Sequence, residues 1–472
     1  MRVAYDNVWA TVKDIPDAFR EHLYEEYLAY ETVTYFRGIR EVRRGSLYNA
    51  RRQAFPSGLV GLVAKEAKAQ GVPIEVADRR QPPIPPCPLG DLEWVTDDER
   101  YAFHRDAIRT VHERTRGVLQ CATGAGKTNI AVNTARAIPC RWLFIVPNKD
   151  LLHNAANRFE QLTGWAAGRV GDGYFQIPPI TDPGPLFVAA TVQTLISGIK
   201  RKDKDVLHLV QDWAQGVFVD ECHGAAAESY TVVLRNALDA YYRVGLSATP
   251  FDRGDERGIL AVGYLGPTIF KKTARDLIEL GVIAEPKIRM VHHEIDHEVF
   301  DSWPKAKKHH ITESPDRNGL VADMAVRAAK PCLVFVDQLK HGSRMLKTLR
   351  GRGLNCEYVD GKSSGDQRDR VAKGLDRGDL EVVVATAIWN QGVDIPNLAS
   401  VVIACGGQST IQAVQRTGRG SRTAGGTKTT FEVWDVLDRR PRAGQAMLER
   451  HANERRKAYK KAGYEVEVVK TT

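Results

Sequence analysis

The sequence predicts an α/β protein: two tandem parallel-sheet domains behind a small N-terminal α/β domain. Three observations carry that prediction. Between about residues 92 and 265, short apolar runs alternate with amphipathic stretches, and the same alternation resumes after about residue 330. Ahead of both, Gln81-Pro-Pro-Ile-Pro-Pro-Cys-Pro88 can continue neither a helix nor a central strand, so it reads as a linker. Apolar runs of four to six residues separated by helical stretches are the signature of buried parallel strands with crossover helices.

The elements follow in order. In residues 1–88, Asp17 to Tyr35 is rich in aromatics and carboxylates at mixed helical spacing. Gly58–Ala69 reads as an amphipathic helix and Pro73–Ala77 as the strand after it. Between them lie Arg40, Arg43, Arg44, Arg51 and Arg52, either a solvated face or a surface for nucleic acid. In residues 89–265, the candidate strands are Val118–Gln120, Trp142–Val146, Leu186–Ala190, Val217–Val219 and Tyr242–Leu246. Residues 266–330 are expected to bridge the two sheets. In residues 331–472, they are Cys332–Val336, Asn355–Val359, Glu381–Ala385, Val401–Ala404 and Phe431–Trp434. A basic helix from Arg439 to Lys461 and a last strand within Tyr464–Val469 complete the chain.

Composition narrows the functional classes. The 472 residues carry a formal charge of +9, which suits a polyanionic partner but is spread along the chain. Seven scattered cysteines without a C-x-x-C pair argue against a disulfide framework or a zinc ribbon. His292-His293 and His309-His310 read as exposed loop histidines. The start of the chain has no apolar signal core, and no run approaches the roughly 20 apolar residues of a membrane span. A cytoplasmic protein with no membrane partner is expected.

Three strings carry the chemistry. Val118-Leu-Gln-Cys-Ala-Thr-Gly-Ala-Gly-Lys-Thr128 runs from a strand into a helix. In its loop, Thr123, Gly124, Ala125 and Gly126 let backbone N–H groups approach phosphate oxygens. Lys127 would neutralise β- and γ-phosphate charge, and Thr128 would ligate Mg²⁺. Cys121 stands where the usual phosphate-loop pattern has its first glycine. About 95 residues on, Val217-Phe-Val-Asp-Glu-Cys-His223 ends a buried strand in adjacent carboxylates. Asp220 is placed to hold Mg²⁺, and Glu221 to take a proton from an attacking water. Far downstream, Gln415-Arg-Thr-Gly-Arg-Gly-Ser-Arg422 offers guanidinium groups suited to phosphoryl oxygens; taken alone, it is also a basic loop before a strand. Together the three strings imply ATP hydrolysis.

Asp220-Glu-Cys-His223 is a DExH box, and the chain resembles a superfamily 2 helicase over roughly residues 95–470. The motifs fall in the family's order. After the phosphate loop, 146–154 and 191–195 resemble motifs Ia and Ib. Ser247-Ala-Thr-Pro250 is motif III, Ala385-Thr386 through Gln391-Gly-Val-Asp394 resembles motif V, and 415–422 is motif VI. Arg169-Val-Gly-Asp-Gly173, Gly245–Pro250 and Asp360-Gly-Lys-Ser-Ser364 are most similar to the UvsW/XPB-like DNA helicases. The chain departs from relatives at Phe103-His104-Arg105, where many have an aromatic-Gln pair reading adenine, and at Arg253-Gly-Asp255, where XPB-type members have Arg-Glu-Asp.

The resemblance implies RecA-like sheet domains and ATP with Mg²⁺ as cofactors. It also implies that Arg419 and Arg422, with Gln415, meet the γ-phosphate from across an interdomain cleft. His104 would donate one hydrogen bond to the base, and Asp394 would contact the ribose. Pro147, Asn148, Thr191, Gly361 and Thr386 would contact nucleic-acid phosphates. The expected activity is ATP-dependent movement on single-stranded, forked or branched DNA by a monomer, with residues 1–88 selecting the substrate. The location would be the host cytoplasm if the chain is phage-encoded. An RNA helicase, a translocase subunit of a nuclease or defence assembly, and a merely structural nucleic-acid-binding protein are the alternatives. Replication or recombination proteins are further candidate partners.

Overall fold

The computed structural model describes the chain except residues 37–38, 85, 181–185, 225–227, 249–257, 296–299, 301, 387–388, 390–394, 408–412, 414–415, 419, 422–426, 440–446 and 471–472. It divides into two compact units: Met1–Cys121 with Gly126–Lys271, and Ala122–Ala125 with Lys272–Thr472.

The N-terminal residues form six strands: β1 (Arg2–Tyr5), β2 (Trp9–Lys13), β3 (Ala29–Phe36), β4 (Ile39–Ser46), β5 (Ala54–Pro56) and β6 (Glu75–Asp78). Four of them make a sheet in the order β5-β2-β1-β6, while β3 and β4 pair only with each other. Helical spacing thus holds only to Tyr27. The segment from Ala29 is a strand, because Tyr30, Thr32, Val33 and Thr34 favour extended backbone once paired. Phe19, Leu23, Leu28, Tyr48, Phe55 and Val63 build a core under the sheet, and Leu260 from the helix Gly258–Leu265 completes it.

That shared core docks the N-terminal sheet on the domain that follows. Gly58 sits so close that an added Cβ would lie 2.3 Å from the Val262 carbonyl oxygen, so only glycine fits there. Arg116 donates to Ser57 Oγ (2.6 Å) and to the Asn7 carbonyl (3.0 Å). Asn7 Nδ2 donates to the Leu238 carbonyl (3.1 Å). Trp9 meets Tyr264 edge-on and lies under the Arg235 guanidinium. The proline-rich linker is also strapped down, with Arg80 over Tyr241 and Gly90 N–H donating to the Ala137 carbonyl. Cys87 pairs with Cys140 across a Cα–Cα distance of 5.8 Å, a bridge that the scattered spacing gave no reason to expect.

The first large sheet contains β7 (Arg116–Cys121), β8 (Arg141–Val146), β9 (Gly168–Gly171), β10 (Tyr174–Gln176), β11 (Leu186–Thr191), β12 (Gly216–Asp220), β13 (Tyr242–Ser247) and β14 (Thr268–Lys272). Their order is β10-β9-β11-β8-β12-β13-β7-β14. The six strands from β9 to β7 run parallel. Trp142, Phe144, Phe187 and Phe218 stack across the centre, and Val118, Leu143, Ile145, Val217 and Val219 pack against the helices.

The second sheet contains β15 (Glu285–Glu294), β16 (Cys332–Phe335), β17 (Cys356–Val359), β18 (Val382–Ala385), β19 (Ser400–Ile403), β20 (Thr430–Arg439) and β21 (Val466–Val469). It runs β17-β18-β16-β19-β20-β15-β21, parallel throughout. The segment expected to bridge the sheets therefore supplies strands to both, β14 to the first and β15 to the second. Its histidines are structural as well. His293 lies on β15 and bonds Asp438 at 3.1 Å, and His310 is buried in a helical turn. They are not exposed loop residues.

Candidate nucleotide and nucleic-acid sites

In open parallel sheets, ligands gather at the carboxyl ends of the strands, and the phosphate loop, Asp220 and Ser247 lie at the ends of β7, β12 and β13. From β7 the chain turns through Ala122–Gly126 into the helix Lys127–Ala137. Gly124 and Gly126 take φ values of 91° and 77°, which glycine adopts without the usual steric cost. The turn leads into the helix N-terminus, where free backbone N–H groups favour anions, although Ala125 N–H is spent on the Ala122 carbonyl (3.2 Å). Lys127 Nζ donates to the Cys121 carbonyl (3.2 Å), so the ammonium folds back over its own loop. Thr128 follows it in the first helical turn. His104 is buried and packs edge-on against Phe103 and Tyr101. Its ring lies 3.1 Å from where a Cβ on Gly126 would sit. The histidine thus stands beside the last glycine of the loop.

Two strands away, β12 is buried along its length and ends in Asp220. Asp220 Oδ1 accepts from Glu221 N–H (2.9 Å). Burial, then the Glu221 carboxylate, push the Asp220 carboxyl well above its ordinary range, while the Lys127 ammonium pulls against them. Glu221 has φ of 48°, a left-handed backbone uncommon for a non-glycine residue and concentrated at functional sites. Its carboxylate meets His223 Nδ1 at 3.2 Å, and that nitrogen lies 3.5 Å from Ser247 Oγ at the end of β13. This Glu221–His223–Ser247 chain was not legible in the spacing, although its residues stand within the DExH box and motif III.

The nucleic-acid candidates fall into two groups, one in each unit. Pro147 and Asn148 follow β8, and Thr191 ends its neighbour β11, with Val146 in register with Thr191. Asn148 Oδ1 caps the helix Lys149–Thr163 by accepting from Leu151 N–H (3.0 Å). The Pro147 carbonyl accepts from Gln193 Nε2 (2.9 Å), and the Thr191 and Thr194 hydroxyls are 2.8 Å apart. Lys149 and His153 converge on Asp172 at 3.5 and 3.0 Å, joining the 146–154 string to Arg169–Gly173, a meeting that the separate strings did not announce. In the second unit, Gly361 follows β17 in an exposed turn and Thr386 follows β18. Thr386 N–H donates to the Val359 carbonyl (3.3 Å).

Gln415, Arg419, Arg422 and Asp394 lie outside the described residues, as do Thr249, Pro250 and Arg253-Gly-Asp255. Arg416, between them in the string, is described. It is buried and donates to Asp337 (2.8 Å) and Cys405 Sγ (2.6 Å), so it ties this string to the residues after β16 and β19.

Residues 95–252 match the family "Type III restriction enzyme, res subunit", and residues 319–424 match "Helicase conserved C-terminal domain". Together with the strand-end geometry, these matches place the chain in superfamily 2, the class of ATP-hydrolysing helicases. Within it, the chain is similar to the ATP-dependent DNA helicase uvsW of Enterobacteria phage T4: 25% identity over 73% of this chain and 72% of the phage protein. It is also similar to the DNA 3'-5' translocase XPB2 of Sulfurisphaera tokodaii: 24% identity over 67% of this chain and 77% of the archaeal protein. Against four other curated relatives it spans only 49–60% of their length. In fold it resembles the ATP-dependent Type ISP restriction-modification enzyme LlaBIII bound to DNA. That likeness has a TM-score of 0.59 at 15% identity and covers 80% of this chain and 31% of the enzyme.

Proposed function

We propose that the chain is an ATP- and Mg²⁺-dependent motor that moves on DNA, acting on forked or branched substrates. The observation that best supports this is the carboxylate pair at the end of β12. Asp220 is buried without an arginine partner among the described residues, and Glu221 is held in a left-handed backbone beside it. An acid kept in that state is poorly placed for stability and well placed for a cation. The Asp220 carboxylate and the Thr128 hydroxyl would hold Mg²⁺, which neutralises phosphate charge when bound. Among the described residues, no three His, Cys, Asp or Glu side chains form a metal cage, as suits an ion bound through one or two carboxylates and the substrate's phosphates.

In this reading, the amides of Thr123–Gly126 cradle the phosphates and Lys127 neutralises the β- and γ-groups, while His104 backs the loop. Water attacks the γ-phosphorus as the bond to the β-phosphate oxygen breaks, giving ADP and phosphate. Glu221 takes the water's proton, and His223 orients the Glu221 carboxylate. Gln415, Arg419 and Arg422 act on the transferring phosphoryl group, and Asp394 on the ribose. Pro147, Asn148 and Thr191 in one unit, and Gly361 and Thr386 in the other, contact strand phosphates without reading bases. The contact from Glu221 through His223 to Ser247 links the hydrolytic carboxylate to the neighbouring strand end, a route by which nucleotide state can reach the strand-contacting edge.

The test is ATPase stimulation by single-stranded, duplex, forked and four-way DNA, with RNA alongside, for the full chain. Strongest stimulation by forked or four-way DNA is expected; preferential stimulation by RNA overturns the DNA assignment. The restriction-subunit family match supports a second reading, a translocase subunit serving a nuclease. Co-purification of a nuclease with no unwinding by the isolated chain would favour it.

A further inference from the structure

Among the described residues, the ribbon formed by β3 and β4 is bonded to no other strand. Eight residues of each strand pair, from Ala29 with Ser46 to Phe36 with Ile39, giving a ribbon roughly 25 Å long at about 3.4 Å per residue. A two-stranded ribbon buries little by itself, and here Tyr30 packs on the N-terminal core beside Leu28 and Leu47. Its base is fixed. Leu47 N–H donates to the Leu28 carbonyl (2.9 Å), and Arg44 donates to the Glu25 carbonyl. Beyond the base, Glu41, Val42, Arg43 and Arg44 are exposed, and so are Arg51 and Arg52 in the turn that follows.

Charge is concentrated here. Residues 39–53 hold five arginines, Arg40, Arg43, Arg44, Arg51 and Arg52, against one acid, Glu41. Glu41 bonds Arg43 at 3.0 Å, while Arg51 and Arg52 meet no carboxylate among the described residues. The described arginines Arg43, Arg44, Arg51 and Arg52 are exposed along β4 and the turn after it. Such a surface fits the phosphate backbone of a polyanion, and a two-stranded ribbon is narrow enough to enter the major groove of a duplex.

We infer that the β3–β4 ribbon and the Arg51-Arg52 turn grip the duplex arm of a DNA substrate through its phosphates. The inference rests on the proposed function for the identity of the polyanion as DNA. It adds a mechanical consequence. The ribbon belongs to the N-terminal sheet, which is docked through Gly58, Arg116 and the shared core around Leu260. The duplex grip therefore travels with the first sheet domain as a fixed extension of it.

The test compares the wild-type full chain with two variants, Arg51→Gln/Arg52→Gln and the same pair combined with Arg43→Gln. Both leave the hydrogen bond of Arg44 at the ribbon base in place. Binding to a forked DNA with long duplex arms, and to single-stranded DNA of equal length, is measured across a salt series. Duplex-arm affinity is expected to fall about tenfold or more. The slope of log K against log salt should become shallower by about 0.9 for each phosphate that is no longer neutralised. Single-strand binding and DNA-free ATPase should stay at wild-type levels. An unchanged salt slope on the duplex, or an equal loss on single strands, overturns the inference. So does a monomer–dimer shift on mutation without a duplex-binding change, which would make the ribbon a pairing edge for a second copy. If the variants lose duplex affinity while the wild type hydrolyses no ATP with any DNA, the ribbon assignment stands and the motor reading fails.

Discussion

Both large sheets bring acids to the ends of their strands, and they treat them in opposite ways. In the second unit, Asp438 on β20 bonds buried Arg317 at 2.9 Å and His293 at 3.1 Å. Against the cost of burial, these partners hold its carboxyl down to about 2. Asp435, on the same strand, bonds Arg455 at 2.9 Å and accepts from Tyr459 Oη at 2.9 Å. In the first unit, Asp220 is also buried but faces a second carboxylate, with no arginine partner among the described residues, and its carboxyl is pushed up against the pull of Lys127. A buried acid with its counter-ion built in is a structural fixture. A buried acid without one costs stability and is retained where a ligand supplies the missing charge. That contrast is what the proposed hydrolytic role of the first sheet rests on.

The contrast can be broken from either side. The largest effect is expected at the phosphate loop: Lys127→Ala should lower ATP turnover by about 10³ or more, read as steady-state ATPase, with the thermal unfolding of the protein little changed. Next, Arg317→Ala should destabilise the second unit by about 3–5 kcal/mol, because it leaves Asp438 buried and uncompensated. Denaturant unfolding would show it, and Arg317→Met combined with Asp438→Asn should recover much of the loss.

Acid should separate the units further. Burial, then Arg317, press His341 down to about 3, and burial, then Arg450, press His451 down to about 4. Both histidines belong to the second unit and stay neutral there at pH values where the unfolded chain takes up a proton. Their contribution is therefore intact above about pH 6.5 and is lost as pH falls toward those values, on the order of a few kcal/mol in all. Asp220 has the opposite sign. Its raised folded-state pKa makes its contribution greatest in acid and lost as pH rises through the folded value. Thermal unfolding between pH 7.5 and 4.5, without nucleotide, should weaken the second unit relative to the first. The smallest effect follows from the same sign: Asp220→Asn should raise the melting temperature of the first unit at neutral pH, by about 1–3 kcal/mol in stability, while abolishing turnover.

Much of this was legible because fully buried parallel strands read as unbroken apolar runs. Trp142–Val146 and Leu186–Ala190 became β8 and β11 with one residue of adjustment. β15 was not legible. Its residues alternate buried Ile288 and Met290 with part-exposed Lys287 and Arg289, so it lacks the apolar run that announces a strand. β3 was hidden among aromatics and carboxylates that suit either period. At the site, Lys127 and Asp220 were carried by local spacing. The meeting of Glu221, His223 and Ser247 depends on β12 lying beside β13, and sequence separation does not report that. The docking of the N-terminal sheet through Gly58 and Arg116 was invisible for the same reason: single residues far apart in the chain become partners only once both sheets exist.

The most direct test is DNA-stimulated ATPase of Glu221→Gln, measured beside its nucleotide binding. Removing the proton acceptor while keeping its shape should cost about 10²–10⁴ in turnover, with ATP still bound at wild-type affinity. Wild-type turnover in that variant would contradict the assignment of the β12 carboxylates as the hydrolytic centre.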